Sequence, residues 1–165
     1  MTGINSDRRK FLAASGTALT IAVAGCSGGG DSGGDDGGGD DGGNGGSVPE
    51  AVDTYLTDNE ANGYDGSAVD ETGSSSVTIS VGTGDQGLAF DPAAVRVDSG
   101  TEVTWEWTGN GGSHNVNVQE GPTTFSSETV GEEGHTFSQT LESGNYMYQC
   151  DPHSTLGMHG AVIVE

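Results

Sequence analysis

Between residues 77 and 164, apolar and polar side chains alternate with a period of two. Val77, Ile79 and Val81 alternate with Thr78 and Ser80, Val95 and Val97 flank Arg96, and Val103, Trp105 and Trp107 alternate with Thr104 and Glu106. Such alternation turns one face of an extended segment toward a core and the other toward water. Residues 115–119, 135–141, 145–150 and 161–164 continue it, separated by turn-forming clusters such as Asp98-Ser99-Gly100 and Gly109-Asn110-Gly111-Gly112. About seven short strands, no long helical pattern and no internal repeat predict an all-β domain, an antiparallel sandwich or barrel. Both tryptophans fall at core positions.

One short helix precedes the strands. Ser47-Val48-Pro49-Glu50 has the form of a capping box with Pro in the first turn, and Ala51, Val52, Tyr55 and Leu56 then share a helical face. This predicts a helix over 48–58 whose apolar side lids the domain.

Upstream the pattern changes character twice. Residues 27–46 are almost wholly Gly, Asp and Ser and have no apolar side chain with which to offset the entropy of ordering. They read as a tether, with a root-mean-square span of roughly 25 Å for a Gly-rich segment of this length. Before it, Arg8-Arg9 leads into an apolar stretch from Phe11 to Ala24, too short to cross a hydrocarbon core about 30 Å thick as a helix. That segment resembles a twin-arginine export signal, and Val23-Ala24-Gly25-Cys26 resembles a lipobox that would make Cys26 the lipidated first residue of the mature chain. The expected organisation is a signal over 1–26, a flexible linker over 27–47 and one folded domain over 48–165.

Charge narrows the partners. The chain has 25 Asp plus Glu against 4 Lys plus Arg, for a formal net charge of −21. Cleavage before Cys26 removes three of the four bases and one acid, Asp7, so Arg96 is the base that remains. Nucleic acid is excluded as a partner. The composition suits a salt-rich medium, where a Debye length of about 3 Å at molar ionic strength mutes repulsion between carboxylates.

Candidate chemistry gathers near the C-terminus. Cys150-Asp151-Pro152-His153-Ser154-Thr155-Leu156-Gly157-Met158 is a Cys-x2-His-x4-Met spacing that offers a thiolate, an imidazole and a thioether from one loop. Those are donor types of a blue-copper site, which needs one more imidazole. His114 supplies it by parity, since in an extended segment it shares a face with the apolar Val116 and Val118, and Cys150 likewise shares one with Tyr146 and Tyr148. With Cys150 committed to metal and Cys26 to lipid, a disulfide between them is not expected. Zinc favours a closed tetrahedral set and has no use for the thioether.

The run LAFDPAAVRVDSGTEVTWEWTGNGGSHNV (88–116), with YQCDPHSTLGMHG (148–160), resembles the halocyanins, relatives of plastocyanin in the cupredoxin superfamily. The resemblance covers essentially all of residues 50–165. It implies a Greek-key β-sandwich or barrel holding one copper ion that shuttles between Cu(I) and Cu(II), with His114, Cys150 and His153 as strong ligands and Met158 as a weak axial one. Asn115 would tie the His114 segment to the Cys150 loop, and His153 would show a ring edge at a surface patch including Leu156 and Gly157. Position 149, aromatic in plastocyanins, is Gln149 here, so their second, acidic electron-entry face is not carried over. The implied function is one-electron transfer, not catalysis, by a monomer lipid-anchored on the outer face of the cytoplasmic membrane. Its partners would be redox proteins such as membrane respiratory complexes.

Other copper functions fit less well. Storage would call for repeated Met or Cys clusters, and a copper enzyme for a second histidine-rich site that four histidines do not furnish. His135 and His159 are expected at the surface, His159 beside the site, and Met147 is expected to serve packing.

Overall fold

The computed structural model of the chain describes residues 45–165. The twin-arginine segment, Cys26 and the Gly/Asp tract as far as residue 44 lie outside the described residues. Within them, ten strands form two sheets. One runs β1 (Gly45–Gly46), β2 (Ala68–Asp70), β5 (Ala94–Val97), β10 (His159–Val164), β9 (Gly144–Gln149), β7 (Asn117–Glu120) from edge to edge; the other runs β4 (Ala89–Asp91), β3 (Ser76–Thr83), β6 (Glu102–Trp107), β8 (Thr136–Thr140). The architecture is a sandwich of the Greek-key kind, not a closed barrel.

Both sheets are mixed, which corrects the expectation of a purely antiparallel fold. β3 pairs parallel with β6, and β5 pairs parallel with both β2 and β10. The chain leaves the second sheet after β4, adds β5 to the first and returns as β6, so β6 lies beside β3 pointing the same way. Side-chain alternation sets which face is buried and carries no information on strand direction.

The inner faces meet in one core that includes Ile79, Val81, Phe90, Val103, Trp105, Tyr146, Tyr148 and Val162. Trp105 packs edge-on against Tyr148 with ring centroids 5.5 Å apart, a favourable quadrupole arrangement. A second, smaller cluster lies on the outer face of the first sheet, where α1 (Glu50–Asp58) buries Val52 and Leu56 against Ala94, Met147, Ala161 and Ile163. Because the sandwich covers one face of β10 and the helix covers the other, all six of its residues are buried.

Two details of the helix differ from expectation. Pro49, in an extended conformation, is the N-cap residue, and no side chain caps the helix. The Ser47 hydroxyl is therefore not a cap; the Ser47 carbonyl instead accepts a hydrogen bond from Arg96. Ala51 is exposed, since the buried stripe is the i, i+4 pair Val52 and Leu56, flanked by the half-buried Tyr55.

Candidate metal centre

Two connections at one end of the sandwich carry the donor residues. The first joins β6 to β7. Its backbone is fixed at His114 by a reciprocal pair of bonds, His114 N–H to the Val130 carbonyl at 2.8 Å and Val130 N–H to the His114 carbonyl at 2.9 Å. Trp107 Nε1–H also donates to the His114 carbonyl, at 3.1 Å, so this tryptophan backs the site as well as filling the core.

The second connection joins β9 to β10. Cys150, still extended at the end of β9, caps a 3-10 segment over Asp151–Leu156 that has Pro152 in its first turn and is kinked at His153, whose φ of −125° and ψ of 16° are not helical. Gly157, with φ of +79°, ends that segment and turns the chain into Met158. Cys150 N–H donates to the Met158 carbonyl at 3.0 Å, closing the loop at its neck.

These connections bring three donor atoms together. Cys150 Sγ lies 3.4 Å from His153 Nδ1 and 3.6 Å from His114 Nδ1, and the two Nδ1 atoms are 3.1 Å apart. With bond lengths of about 2.0 Å to imidazole nitrogen and about 2.3 Å to thiolate sulfur, donors to one first-row ion stand roughly 3.0–3.6 Å from one another. The residues therefore fit a single ion. His114 and Cys150 are buried and His153 is half-buried. Met158 is fully buried in the same core cluster as Cys150.

The chemistry of each donor follows from its neighbours. His114 Nε2 is 2.8 Å from the Asn110 carbonyl oxygen; a carbonyl only accepts, so Nε2 carries the proton and Nδ1 keeps a lone pair facing Cys150. Burial lowers the pKa of this ring, with nearby His153 acting in the same sense and the Asn110 bond opposing it. Burial likewise raises that of the Cys150 thiol, opposed by the nearby backbone of Asn115 and His153.

Asn115 is buried and spans the two connections. Its Oδ1 accepts from Asp151 N–H at 2.8 Å and its Nδ2 donates to Asp151 Oδ2 at 2.8 Å. Gln149, half-exposed, donates to the other Asp151 oxygen at 2.9 Å.

The other histidines depart from the expectation of surface residence. His135 is half-buried, edge-on to Trp107 at 4.9 Å. His159 is 3% exposed, because its side of β10 is the one α1 covers. It bonds to Tyr55 and Ser154. Sequence reasoning also missed the Asn110 carbonyl, which as a main-chain group has no residue signature, and Asp151, whose only signal is its place directly after the cysteine.

Residues 77–165 match the family described as copper binding proteins, plastocyanin/azurin family. Along nearly its whole length the chain is similar to a halocyanin of Natronomonas pharaonis, 52% identical over 162 residues, or 96% of this chain and 97% of that one. A plastocyanin of Sambucus nigra is 36% identical over 99 residues, 53% of this chain and 99% of its own. Among solved structures, a purple cupredoxin from Nitrosopumilus maritimus overlays 54% of this chain and 99% of its own at 24% identity and a TM-score of 0.45. With the family match and the halocyanin similarity both in place, this chain belongs to the copper-binding plastocyanin/azurin family.

Proposed function

We propose that the chain is a one-electron carrier in which His114, Cys150 and His153 would hold a copper ion as strong ligands, with Met158 as a weak fourth. The observation that carries this reading is the convergence of two imidazole nitrogens and one thiol sulfur within 3.6 Å of one another. A copper ion bound there supplies a Cu(II)/Cu(I) couple.

The chain's own residues keep the geometry constant between the two states. His114 is fixed by the Asn110 carbonyl, the Val130 bridge and Trp107, and Cys150 by the sheet and by Asn115 through Asp151. Burial of His114, Cys150 and Met158 excludes water. Two imidazoles, a thiolate and a thioether satisfy neither oxidation state fully and both tolerably, so little rearranges when an electron moves. His153, half-buried, leads to the surface beside Leu156, which is 55% exposed, and this end serves for partner docking. His135 and His159 are engaged elsewhere, which supports a carrier over a copper enzyme with a second metal site.

The domain is tethered to a membrane. Arg8-Arg9 and the lipobox ending in Cys26 support export and lipid anchoring on the outer face of the cytoplasmic membrane, and residues 27–47 would give the domain reach toward redox protein partners. Adding Cu(II) to the metal-free protein and then a reductant tests the function: an intense blue colour appears and bleaches reversibly. A colourless complex, or colour that does not return on reoxidation, contradicts it.

A further inference from the structure

The family match begins at Val77, yet residues well before it grip the metal loop. Asn62 N–H donates to the Gly157 carbonyl at 2.8 Å, and Asn62 Nδ2 donates to the Leu156 carbonyl at 2.7 Å and the Leu88 carbonyl at 2.9 Å. From α1, the Tyr55 hydroxyl stands 2.9 Å from His159 Nδ1 and 3.1 Å from the Tyr148 carbonyl oxygen, two acceptors that share its single proton. His159 Nε2 in turn donates to the Ser154 carbonyl at 2.8 Å. The fit is close: a Cβ at Gly157 would stand 2.5 Å from the Glu60 carbonyl oxygen.

All of these loop contacts fall between His153 and His159, on the half of the donor set that the sheets do not hold. His114 and Cys150 are fixed by strand ends and by Asn115. His153 and Met158 sit on a short 3-10 helix and its exit, where the internal bonds Gly157 N–H to the Ser154 carbonyl and Met158 N–H to the His153 carbonyl are both long, at 3.3 Å. The neck of the loop is closed by Cys150 N–H to the Met158 carbonyl and His153 N–H to the Cys150 carbonyl, both at 3.0 Å, so it is the far turn, Ser154 to Gly157, that takes its shape from what holds it from outside.

We infer that residues 55–62 form a clasp on the metal loop, in which Tyr55, acting through His159, and Asn62 are positioning residues for His153 and Met158. The inference rests on the ligand set proposed above. α1 and the turn after it therefore do more than cover apolar surface: Tyr55 of α1, through His159, fixes the carbonyl of Ser154, and Asn62, beyond the helix, fixes those of Leu156 and Gly157, and with them the two ligands on either side. A purely structural role would lower the unfolding stability of metal-free and copper-loaded protein alike, leaving colour, reduction potential and copper retention untouched.

The test uses the full-length chain loaded with copper, as wild type and as Tyr55→Phe, Asn62→Ala, the double variant, His159→Gln and His159→Leu. Visible spectrum, reduction potential and rate of copper loss to a chelator are measured. The double variant is expected to lose copper about tenfold faster than wild type, the lower end of what outer hydrogen-bond partners of metal ligands contribute, with a shifted spectrum and potential. His159→Gln, whose amide still donates to the Ser154 carbonyl, should retain copper better than His159→Leu. If the double variant does not fold, Tyr55→Phe decides, since it keeps the ring and loses only the hydroxyl; about threefold faster loss is then expected from one hydrogen bond. A folded variant with wild-type spectrum, potential and copper loss overturns the clasp while leaving the ligand set intact. A wild-type protein that takes up no copper overturns the ligand set and the clasp together.

Discussion

Asn115 and Asp151 grip each other twice, Asp151 N–H donating to Asn115 Oδ1 and Asn115 Nδ2 donating to Asp151 Oδ2, both at 2.8 Å. One follows His114 in sequence and the other follows Cys150, so a single side-chain amide sets the spacing of two donors from separate connections. The Asp151 carboxyl, held below its ordinary range chiefly by Gln149 and further by Asn115 and Asn117, remains charged and keeps this junction polarised. Replacing Asn115 with Ala removes both bonds and leaves the Asp151 N–H, at a part-buried position, without its side-chain acceptor, which lowers stability by roughly 1–2 kcal/mol. Urea unfolding of the metal-free protein measures the loss, and faster copper release by a chelator measures the effect on the site. A variant matching wild type in both would remove Asn115 from the account.

The hold on His114 is tested from behind the ring. Gly82 has φ of +87°, and a Cβ there would stand 2.6 Å from the Asn110 carbonyl oxygen and 3.3 Å from His114 Nε2. Gly82→Ala therefore combines left-handed strain with a push on the carbonyl that orients the imidazole, at a cost of about 1–3 kcal/mol. The copper spectrum should change along with the melting temperature. A loss of stability with an unaltered spectrum would show that the Asn110 bond does not govern the ring.

Met158 carries a prediction about potential. Met158→Gln exchanges a soft thioether for a harder amide oxygen, which favours Cu(II) over Cu(I). Voltammetry should find copper retained at a lower reduction potential. An unchanged potential would take Met158 out of the ligand set.

Much of this was legible from parity. The alternation around Ile79, Trp105 and Tyr148 marks the inner faces, and the Cys150-to-Met158 spacing marks the loop. Three kinds of feature were not legible. β2 and β4 have three residues each, too few for a periodic signal. Strand direction depends on crossovers between sheets, which side-chain alternation does not encode. His159 directly follows a candidate ligand and reads as a surface histidine; its burial depends on α1, more than a hundred residues earlier, covering the outer face of β10. Helix, strand and loop meet there only in the folded chain.

The many carboxylates differ in their response to acid. Asp65 accepts from the Ser67 hydroxyl and N–H, and Asp70 from the Thr72 hydroxyl and N–H. In each case the side-chain bond is the largest of the causes that lower the carboxyl below its ordinary 3.8, with the N–H bond next. A carboxyl lowered on folding adds stability that is present above its unfolded value and is lost as pH falls through the folded one. The Asp65→Ala/Asp70→Ala double variant should be less stable than wild type at neutral pH, and the gap should close as pH drops well below 3.8. Urea midpoints against pH, at fixed high salt, provide the comparison; a gap independent of pH would contradict this.

In the proposed ligand set, Cys150 sulfur, His114 and His153 bind one copper ion between them. Titration of the metal-free protein with Cu(II), followed by visible absorption, is the decisive measurement. The intense sulfur-to-copper band should grow to an end point at one copper per chain, and in Cys150→Ser it should be absent. Colour that persists in Cys150→Ser, or wild-type protein that binds copper without it, would contradict the account.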